Sequence, residues 1–329
     1  MNYLKRKLRA MMNTSVVVPI LSNYIIFSSV SSFTLNTYNT SKNWDGTLEY
    51  STDTINWSTW SGASISSAIS SGIYNLYVRG TGNSYINTLS IGTNGRWVLT
   101  GSNISCSGRI DNLLDYTTVS LGGQPTMASN CYLLMFYGCT SLTNAPSLPA
   151  TTLEERCYSS MFEGCTSLAT APSLPATILV DGCYSGMFSV CTSLTTAPSL
   201  PVTTLEERCY QYMFFGCTSL ITAPSLPATT LASYCYNYMF YGCTNLTTVP
   251  SLPATTLATN CYNSMFQGCT LIKLSTTQDT TYINAYRIPT SGAGTSATDA
   301  LNDMFSSTGG TFTGTPTINT TYYTSNTVV

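Results

Sequence analysis

The chain has 329 residues, of which 12 are Lys or Arg, 14 are Asp or Glu and none is His, and its formal net charge is −2. Without histidine it can build neither a Ser-His-Asp triad nor a histidine-ligated zinc site, and without an excess of basic residues it is poorly suited to bind the phosphates of nucleic acids. Because only 8% of the residues are charged, the surface must consist mainly of Ser, Thr, Asn and Gly, which suits a protein held in an assembly or displayed outside a cell.

Residues 1–30 begin with a basic cluster and continue with a short apolar stretch. The basic side chains are Lys5, Arg6, Lys7 and Arg9. Pro19 and Ser22 interrupt the apolar stretch, which is too short to cross a bilayer and lacks a clear small-x-small cleavage site, so a secretory signal peptide is disfavoured. We interpret residues 1–30 as an arm that anchors the chain to a partner through its basic cluster; a disordered basic tail is the alternative.

Residues 31–104 have the pattern of a small all-β sandwich. Stretches of alternating residues such as Tyr74–Val78 and Trp97–Leu99 are separated by Gly, Asn and Ser, and such strands need a second sheet to bury one face. All four tryptophans lie in this region, where we expect core packing rather than stacking on sugars.

Residues 105–126 form a junction between this module and the region that follows. Ile110, Leu113 and Leu114 are spaced as the apolar face of a short helix. We expect this helix to cover the exposed end of the first repeat, because the ends of stacked repeats need such caps.

A repeat of 26 residues dominates residues 127–274. A Cys-Tyr pair begins each of six units, a second cysteine follows eight residues later, and a Met-Phe pair keeps the same register. The first cysteines are Cys131, Cys157, Cys183, Cys209, Cys235 and Cys261, and the second are Cys139, Cys165, Cys191, Cys217, Cys243 and Cys269. A fixed period of this length is typical of stacked repeat architectures.

The pattern within one unit predicts a short helix followed by a short strand. Thr152 and Glu155 match a capping box and Gly164 is placed to end a helix. Cys157 and Met161 lie on the apolar stripe between them. The residues after the glycine lead into a short strand that ends at a proline. The sequence therefore predicts an α/β solenoid of six strand-helix coils that bury one another's apolar faces.

The motif Met-Phe-x-Gly-Cys-Thr-Ser-Leu, written out at Met135–Leu142, Met161–Leu168 and Met213–Leu220, resembles the leucine-rich repeats of the BspA-like type. Such repeats occur in bacterial surface adhesins and in the genomes of gut bacteria and their phages. The resemblance implies a leucine-rich-repeat solenoid that serves binding and carries no catalytic residues. Val190 departs from the motif by replacing its glycine, and the sixth unit loses the proline run, so the regular repeat is expected to end near Leu274.

The cysteines and carboxylates of the repeats have structural interpretations. The two cysteines of a unit would lie about 12 Å apart along a helix, too far for a disulfide. The sequence also has no Cys-x-x-Cys pair that could hold a metal. We therefore expect two columns of buried free thiols. Glu154 and Glu155 recur as Glu206 and Glu207 and would favour a helix dipole rather than acid-base catalysis, so the sequence predicts no enzyme, no cofactor and no metal site.

Residues 275–329 follow the last regular unit. The segment Ala300–Phe305 echoes Cys261–Phe266 without its cysteines, and a tail rich in Gly and Thr comes after it. We interpret residues 275–329 as a C-terminal cap that contains a degenerate last coil.

The exposed face of the stacked strands is the candidate functional surface. We expect its outward positions to be Thr143, Asn144, Thr170, Thr195, Thr196, Thr222, Thr247 and Thr248. A periodic polar row can match a host cell-surface glycan or a flat protein partner. The alternatives are threonines that serve only strand formation and solubility, and a scaffold with no ligand on its repeats.

Two biological settings fit these features. The first is a non-enzymatic phage virion protein, a fibre, spike or decoration, whose N-terminal arm contacts other virion proteins and whose repeats bind a host surface. The second is a bacterial BspA-like cell-surface adhesin. We favour the virion, because the sequence has no Leu-Pro-x-Thr-Gly sorting signal and no lipobox cysteine, and because free thiols suit assembly in a cytoplasm. We expect no membrane span and no nucleic-acid partner, and a homo-oligomer is left open.

Overall fold

The computed structural model describes residues 22–87, 95–288, 299–318 and 320–329. Within these ranges nine strands and one α-helix, α1 (Asn112–Ser120), precede the repeats. The nine strands are β1 (Ile25–Ser29), β2 (Thr34–Thr37), β3 (Thr47–Ser51), β4 (Ser58–Thr59), β5 (Ile65–Ser66), β6 (Ala68–Ser70), β7 (Ile73–Thr81), β8 (Trp97–Thr100) and β9 (Ile104–Ser107). The later strands are β10 (Leu142–Asn144), β11 (Thr248–Val249), β12 (Leu274–Ser275), β13 (Asn284–Arg287), β14 (Thr321–Thr324) and β15 (Thr327–Val328).

The strands before the repeats form two sheets that share a core. The larger sheet has the order β10-β9-β1-β7-β3-β4, with β6 also paired to β7, and the smaller sheet has the order β5-β2-β8. Along β1 every second residue is buried, as expected of a strand with one face on a core. Phe27 of β1 contacts Trp97 of β8, with ring centroids 6.2 Å apart, so the two sheets meet at these rings.

Three of the four tryptophans belong to this core. Trp44, Trp60 and Trp97 are buried. The centroid of the Trp60 ring lies 5.2 Å from that of Trp44 and 5.0 Å from that of Trp97. The fourth, Trp57, lies partly exposed with the guanidinium of Arg79 3.8 Å above its ring. Core packing thus accounts for three of the tryptophans, and a cation–π contact accounts for the fourth.

Helix α1 packs against β7 at the junction with the repeats. Leu113 and Leu114 are fully buried. Gly80 of β7 permits the close approach, because a β-carbon at that position would overlap the carbonyl of Leu113. Asn83 fixes the contact by donating hydrogen bonds to the carbonyls of Leu113 and Thr47, both at 2.9 Å. Strand β10, which pairs in parallel with β9, connects the larger sheet directly to the first repeat.

Backbone hydrogen bonds between equivalent positions hold the repeats in a stack. In the second unit the amides of Tyr158, Ser160 and Phe162 donate to carbonyls 25 residues further along the chain, at 2.7–3.0 Å. The amides between them donate instead to the carbonyl three residues earlier, as in a tight turn. The chain therefore alternates between bonds within one unit and bonds to the next unit.

The predicted fold class, an α/β leucine-rich-repeat solenoid of six strand-helix coils, is wrong. The segment from Glu155 to Gly164 is a succession of turns, and the helix of the described residues lies outside the repeats, beside mixed and antiparallel sheets. The reason is the backbone at Arg156, Ser160 and Gly164, where φ is 51°, 51° and 74°. An α-helix needs φ near −60° throughout. A left-handed residue at every fourth position closes one turn, and its own amide donates to a carbonyl of the following unit.

The strands expected within the units are short as well. Between β10 in the first unit and β11 in the fifth, single parallel bridges link Asn144 to Thr170, Thr170 to Thr196 and Thr196 to Thr222. A proline follows each bridged position two residues later, and proline cannot donate to a continuing ladder. The units therefore meet along this face through one residue pair at a time.

Equivalent side chains form continuous columns in the core of the stack. Neighbouring ring centroids lie 5.5–6.1 Å apart in the tyrosine column and 5.4–5.9 Å apart in the phenylalanine column. The tyrosine column consists of Tyr132, Tyr158, Tyr184, Tyr210, Tyr236 and Tyr262. The phenylalanine column consists of Phe136, Phe162, Phe188, Phe214, Phe240, Phe266 and Phe305. All thirteen cysteines are buried free thiols, and those of the repeats form two further columns.

A last turn segment and three strands cover the C-terminal end of the stack. The amides of Tyr262 and Phe266 donate to the carbonyls of Ala300 and Met304, both at 2.9 Å. Residues 299–307 thus continue the turn pattern without cysteines. Strand β14 pairs with β12 and β13, and β15 runs parallel to β11, so the final strands return along the last units.

Candidate functional site

The predicted surface residues lie in two adjacent columns on one side of the stack. The first column contains Asn144, Thr170, Thr196, Thr222 and Thr248, and its first four members are joined by the parallel bridges. The second column contains Thr143, Ala169, Thr195, Ile221 and Thr247. Six of the eight predicted residues are exposed, whereas Thr143 and Thr248 are partly buried. The structure thus brings the predicted residues together on one face.

The hydroxyls of this face divide into two groups. Those of Thr143, Thr195 and Thr247 donate to carbonyls of the preceding layer at 3.2, 3.5 and 3.1 Å. That of Thr248 accepts the amide of Ala223 at 2.7 Å. Within the described residues, no hydrogen-bond partner is found for the hydroxyls of the other group. Its members are Thr170, Thr196 and Thr222. The second group is therefore free to hydrogen-bond a ligand, while the first stabilises the stack.

An apolar depression interrupts the polar face between the third and sixth units. Ile221 and Leu271 are 51% and 41% exposed, and together with Thr195, Asn245 and Thr247 they line an open cavity of about 450 Å³. Ile221 was missed as a surface residue, although its place in a column otherwise containing Thr and Ala was visible in the repeat register. The face consequently offers apolar contact as well as hydroxyl groups.

A second surface carries aromatic rings on the outer side of the turn segments. Tyr212 stacks on Tyr238 with centroids 5.1 Å apart, and Phe215 stacks on Tyr241 at 4.8 Å. We call these four residues the aromatic ladder. The aligned units do show aromatic residues at both positions in the fourth and fifth units. Sequence reasoning missed the ladder because the outward direction of these rings depends on the turn geometry. Partly exposed aromatic rings in a continuous patch are frequent in binding surfaces.

The charged residues of the repeats form ion pairs along one edge. Arg208 lies 2.6 Å from Glu207, and Arg156 lies 3.6 Å from Glu155. Asp181 stands between the two arginines, 3.9 Å from each. The expectation that these glutamates stabilise a helix dipole is wrong, because no helix is present there; they pair with neighbouring arginines instead, a contribution that is small for exposed groups.

The groups with the most strongly shifted pKa values lie in the core columns rather than on either surface. Burial raises the pKa of Cys139 and Cys217 to about 12, and burial likewise raises the pKa of Tyr158 well above its usual value. These groups stay protonated and shielded from solvent, which suits packing rather than nucleophilic chemistry.

The basic cluster of Lys5, Arg6, Lys7 and Arg9 lies outside the described residues. Within the described ranges, no group of three or more Cys, Asp and Glu residues is arranged to hold a metal ion, and no helix has the length and apolar character needed to span a membrane. A scan against protein-family models found no match for the chain, and searches of curated proteins and of solved structures found no significant match either.

Proposed function

We propose that this protein is a non-enzymatic structural protein of a phage virion, a fibre, spike or decoration, that displays its stacked repeats for binding to a host surface. The observation that carries the proposal is the bridged row of exposed polar side chains from Asn144 to Thr222. A rigid, periodic and uncharged row suits a repeating surface ligand or a flat protein partner. The resemblance of the Met-Phe-x-Gly-Cys-Thr-Ser-Leu motif to BspA-like repeats is shared by the virion setting and by the alternative, a bacterial surface adhesin, so the choice between them depends on the test below.

The rigidity of the stack supports a display role. Each unit is tied to the next by several backbone hydrogen bonds and by parallel stacking of the buried tyrosine and phenylalanine rings. Residues on the surface are therefore held at fixed spacing, which lowers the entropy lost when a ligand binds. In this proposal the arm of residues 1–30 attaches the chain to other virion proteins through Lys5, Arg6, Lys7 and Arg9.

The setting is tested by mass spectrometry of purified phage particles alongside envelope fractions of the bacterial host. We expect the chain in the particles, at a copy number consistent with a structural component. Its absence from particles together with its presence in the bacterial envelope would overturn the proposal in favour of a BspA-like surface adhesin.

The binding surface is tested by placing charge on the bridged row. The purified full chain carrying Thr196→Lys and Thr222→Lys should bind host cells roughly tenfold more weakly, equivalent to about 1.4 kcal/mol, because the long cationic side chains cover the hydroxyl row. Flow cytometry with labelled protein gives the measurement. The matched control carries Thr177→Lys and Thr203→Lys, since both threonines are also exposed but lie in another column. Equal binding by all three proteins would exclude the row as the contact surface.

A further inference from the structure

The aromatic ladder stops abruptly at the fourth unit. The rings of Tyr212 and Phe215 stack on aromatic rings of the next unit but not of the preceding unit, because the equivalent positions one unit earlier are Gly186 and Ser189. The units remain in contact there: the amide of Gly186 donates to the carbonyl of Gln211 at 2.7 Å. The missing rings therefore leave a gap in the outer layer while the backbone stack continues beneath it.

This gap is a defined slot of about 250 Å³. The rings of Tyr212 and Phe215 form one wall, Gly186 and Ser189 lie at the base, and Ser160 and Glu163 form the opposite wall. The walls belong to the second and fourth units, so they are about 10 Å apart, twice the ~4.8 Å spacing of neighbouring strands. A ligand in this gap would lie ~3.5–4 Å from the aromatic wall in apolar contact and ~2.8 Å from the opposite wall in hydrogen bonds. The remaining width fits one saturated ring.

The polar wall points into the slot. A β-carbon added to Gly186 would lie 2.8 Å from Oγ of Ser160 and 3.6 Å from Oε2 of Glu163, so both oxygens face the space above the glycine. The side chain of Glu163 is partly buried, and this burial raises its pKa, an effect that a hydrogen bond from the Ser160 hydroxyl partly offsets. No Lys or Arg among the described residues lines the slot. The slot therefore offers hydrogen-bond acceptors and an aromatic surface, but no cation for an anionic ligand.

We propose that this slot binds a neutral saccharide ring, packed against Tyr212 and Phe215 and hydrogen-bonded through its hydroxyls to Glu163 and Ser160. A saccharide ring has an apolar C–H face and a polar hydroxyl edge, which match the two walls. A planar aromatic ligand would stack on the rings but has no hydroxyl edge to meet Ser160 and Glu163. A quaternary ammonium ion is best bound by several surrounding rings, whereas here the rings occupy one side. The inference deepens the proposed host-surface function and rests on it for its biological meaning.

The decisive variant fills the slot by extending the ladder. Gly186 has φ of 62°, and the equivalent Tyr212 and Tyr238 adopt 56° and 55°, so the backbone admits tyrosine at this position once the Ser160 hydroxyl, 2.8 Å from the new β-carbon, rotates away. The Gly186→Tyr variant should therefore fold, and its added ring should fill the slot in which the ligand would bind. Phe215→Ala removes part of the aromatic wall instead. Gln267→Tyr is the matched control, because it adds a ring at the position equivalent to Glu163 in the sixth unit, away from the slot.

The experiment is calorimetric titration of the full chain with neutral oligosaccharides of glucose, galactose and N-acetylglucosamine. Sialylated oligosaccharides and choline are titrated in parallel, and circular dichroism verifies folding of each variant. We expect at least one neutral sugar to bind, Gly186→Tyr and Phe215→Ala to weaken it by roughly tenfold or more, and Gln267→Tyr to leave it unchanged. Failure of every neutral sugar to bind, preferential binding of choline or sialylated sugars, or equal binding by folded Gly186→Tyr would overturn the proposal.

The outcome is separable from that of the virion test. A chain that is present in phage particles but binds no neutral sugar refutes the slot and leaves the display function standing. A chain that binds a neutral sugar through the slot but is absent from particles refutes the virion setting and leaves the saccharide site standing.

Discussion

Single residues in left-handed conformations shape every unit of the stack. Five of the six units have glycine after the Met-Phe-x motif, at positions 138, 164, 216, 242 and 268, and the third has Val190, with φ of 58°. A left-handed conformation costs about 1–2 kcal/mol for a residue with a β-carbon, and a β-branched side chain is especially poorly suited to it. The cost is tolerated because the amide of Val190 donates to the carbonyl of Phe215 in the next unit.

Val190→Gly should raise the free energy of unfolding by up to about 1 kcal/mol, since the relief of strain exceeds the added entropy of glycine in the unfolded chain. Val190 is partly exposed, so little apolar burial is lost. Urea denaturation followed by fluorescence gives the measurement. Gly216→Val, the reverse change one unit later, should lower the stability. A lower urea midpoint for Val190→Gly would contradict this account.

Aromatic columns determine the cohesion of each turn segment with its neighbours. The ring of Phe188 lies 5.8 Å from that of Phe162 and 5.9 Å from that of Phe214, nearly parallel to both, and it is fully buried. The adjacent tyrosine column differs in carrying hydroxyls. That of Tyr158 is buried and has no hydrogen-bond partner within the described residues, so the ring contributes packing and its hydroxyl does not.

Phe188→Ala should lower the free energy of unfolding by about 3–5 kcal/mol, because it removes a buried ring and leaves a cavity between two units. Tyr158→Phe should be neutral or slightly stabilising, because it removes a buried polar group without a partner. Equilibrium denaturation of both variants and the parent chain compares them directly. Similar losses for the two variants would show that the columns are not held together by ring packing.

At the scale of the whole molecule, thirteen buried thiols couple folding to pH. Burial raises the pKa of thiols such as Cys139, Cys217 and Cys269 to about 12, whereas a thiol in an unfolded chain titrates near ~8.5. Above that lower value the unfolded chain releases protons that the native chain retains. The stabilising effect of the protonated core thiols is therefore complete below about pH 8.5 and is lost as the pH rises towards the folded pKa.

We accordingly expect the urea midpoint to be constant between about pH 6 and 8 and to fall steeply between about pH 9 and 10.5. The experiment is done under reducing conditions. Its control is a thiol titration of the denatured, unreduced protein, which should count close to thirteen free thiols. A midpoint that stays constant up to about pH 10.5 would show that the thiols are not protected by the stack.

Prediction from sequence succeeded for the register and failed for the backbone. The repeat of 26 residues identifies which side chains share a column, because buried Cys, Met, Tyr and Phe recur at fixed positions. Over ten residues, apolar residues spaced four apart are also the pattern of an amphipathic helix. A series of four-residue turns has the same spacing, so the sequence pattern does not distinguish the two structures. Arg156 and Tyr212 hold left-handed positions without being glycine, which removes the usual sequence signal for such a conformation.

The two candidate sites also differ in how far the sequence predicts them. The two columns that run from Thr143 and Asn144 to Thr247 and Thr248 were predictable, since they need only the register. The slot beside Tyr212 was not, because it depends on which side chains face outwards and on a gap between rings of different units. Neither property is encoded in the pattern of a single repeat.

The direction of the bonds between units has a mechanical consequence. Within the described repeats these hydrogen bonds run along the stack, so tension applied between the chain ends loads the layers one after another rather than all at once. Each layer of 26 residues that detaches would lengthen the chain by about 90 Å. Stretching a single molecule should therefore give a series of evenly spaced extensions, with each layer yielding at modest force, while a load applied across the stack is shared among all layers.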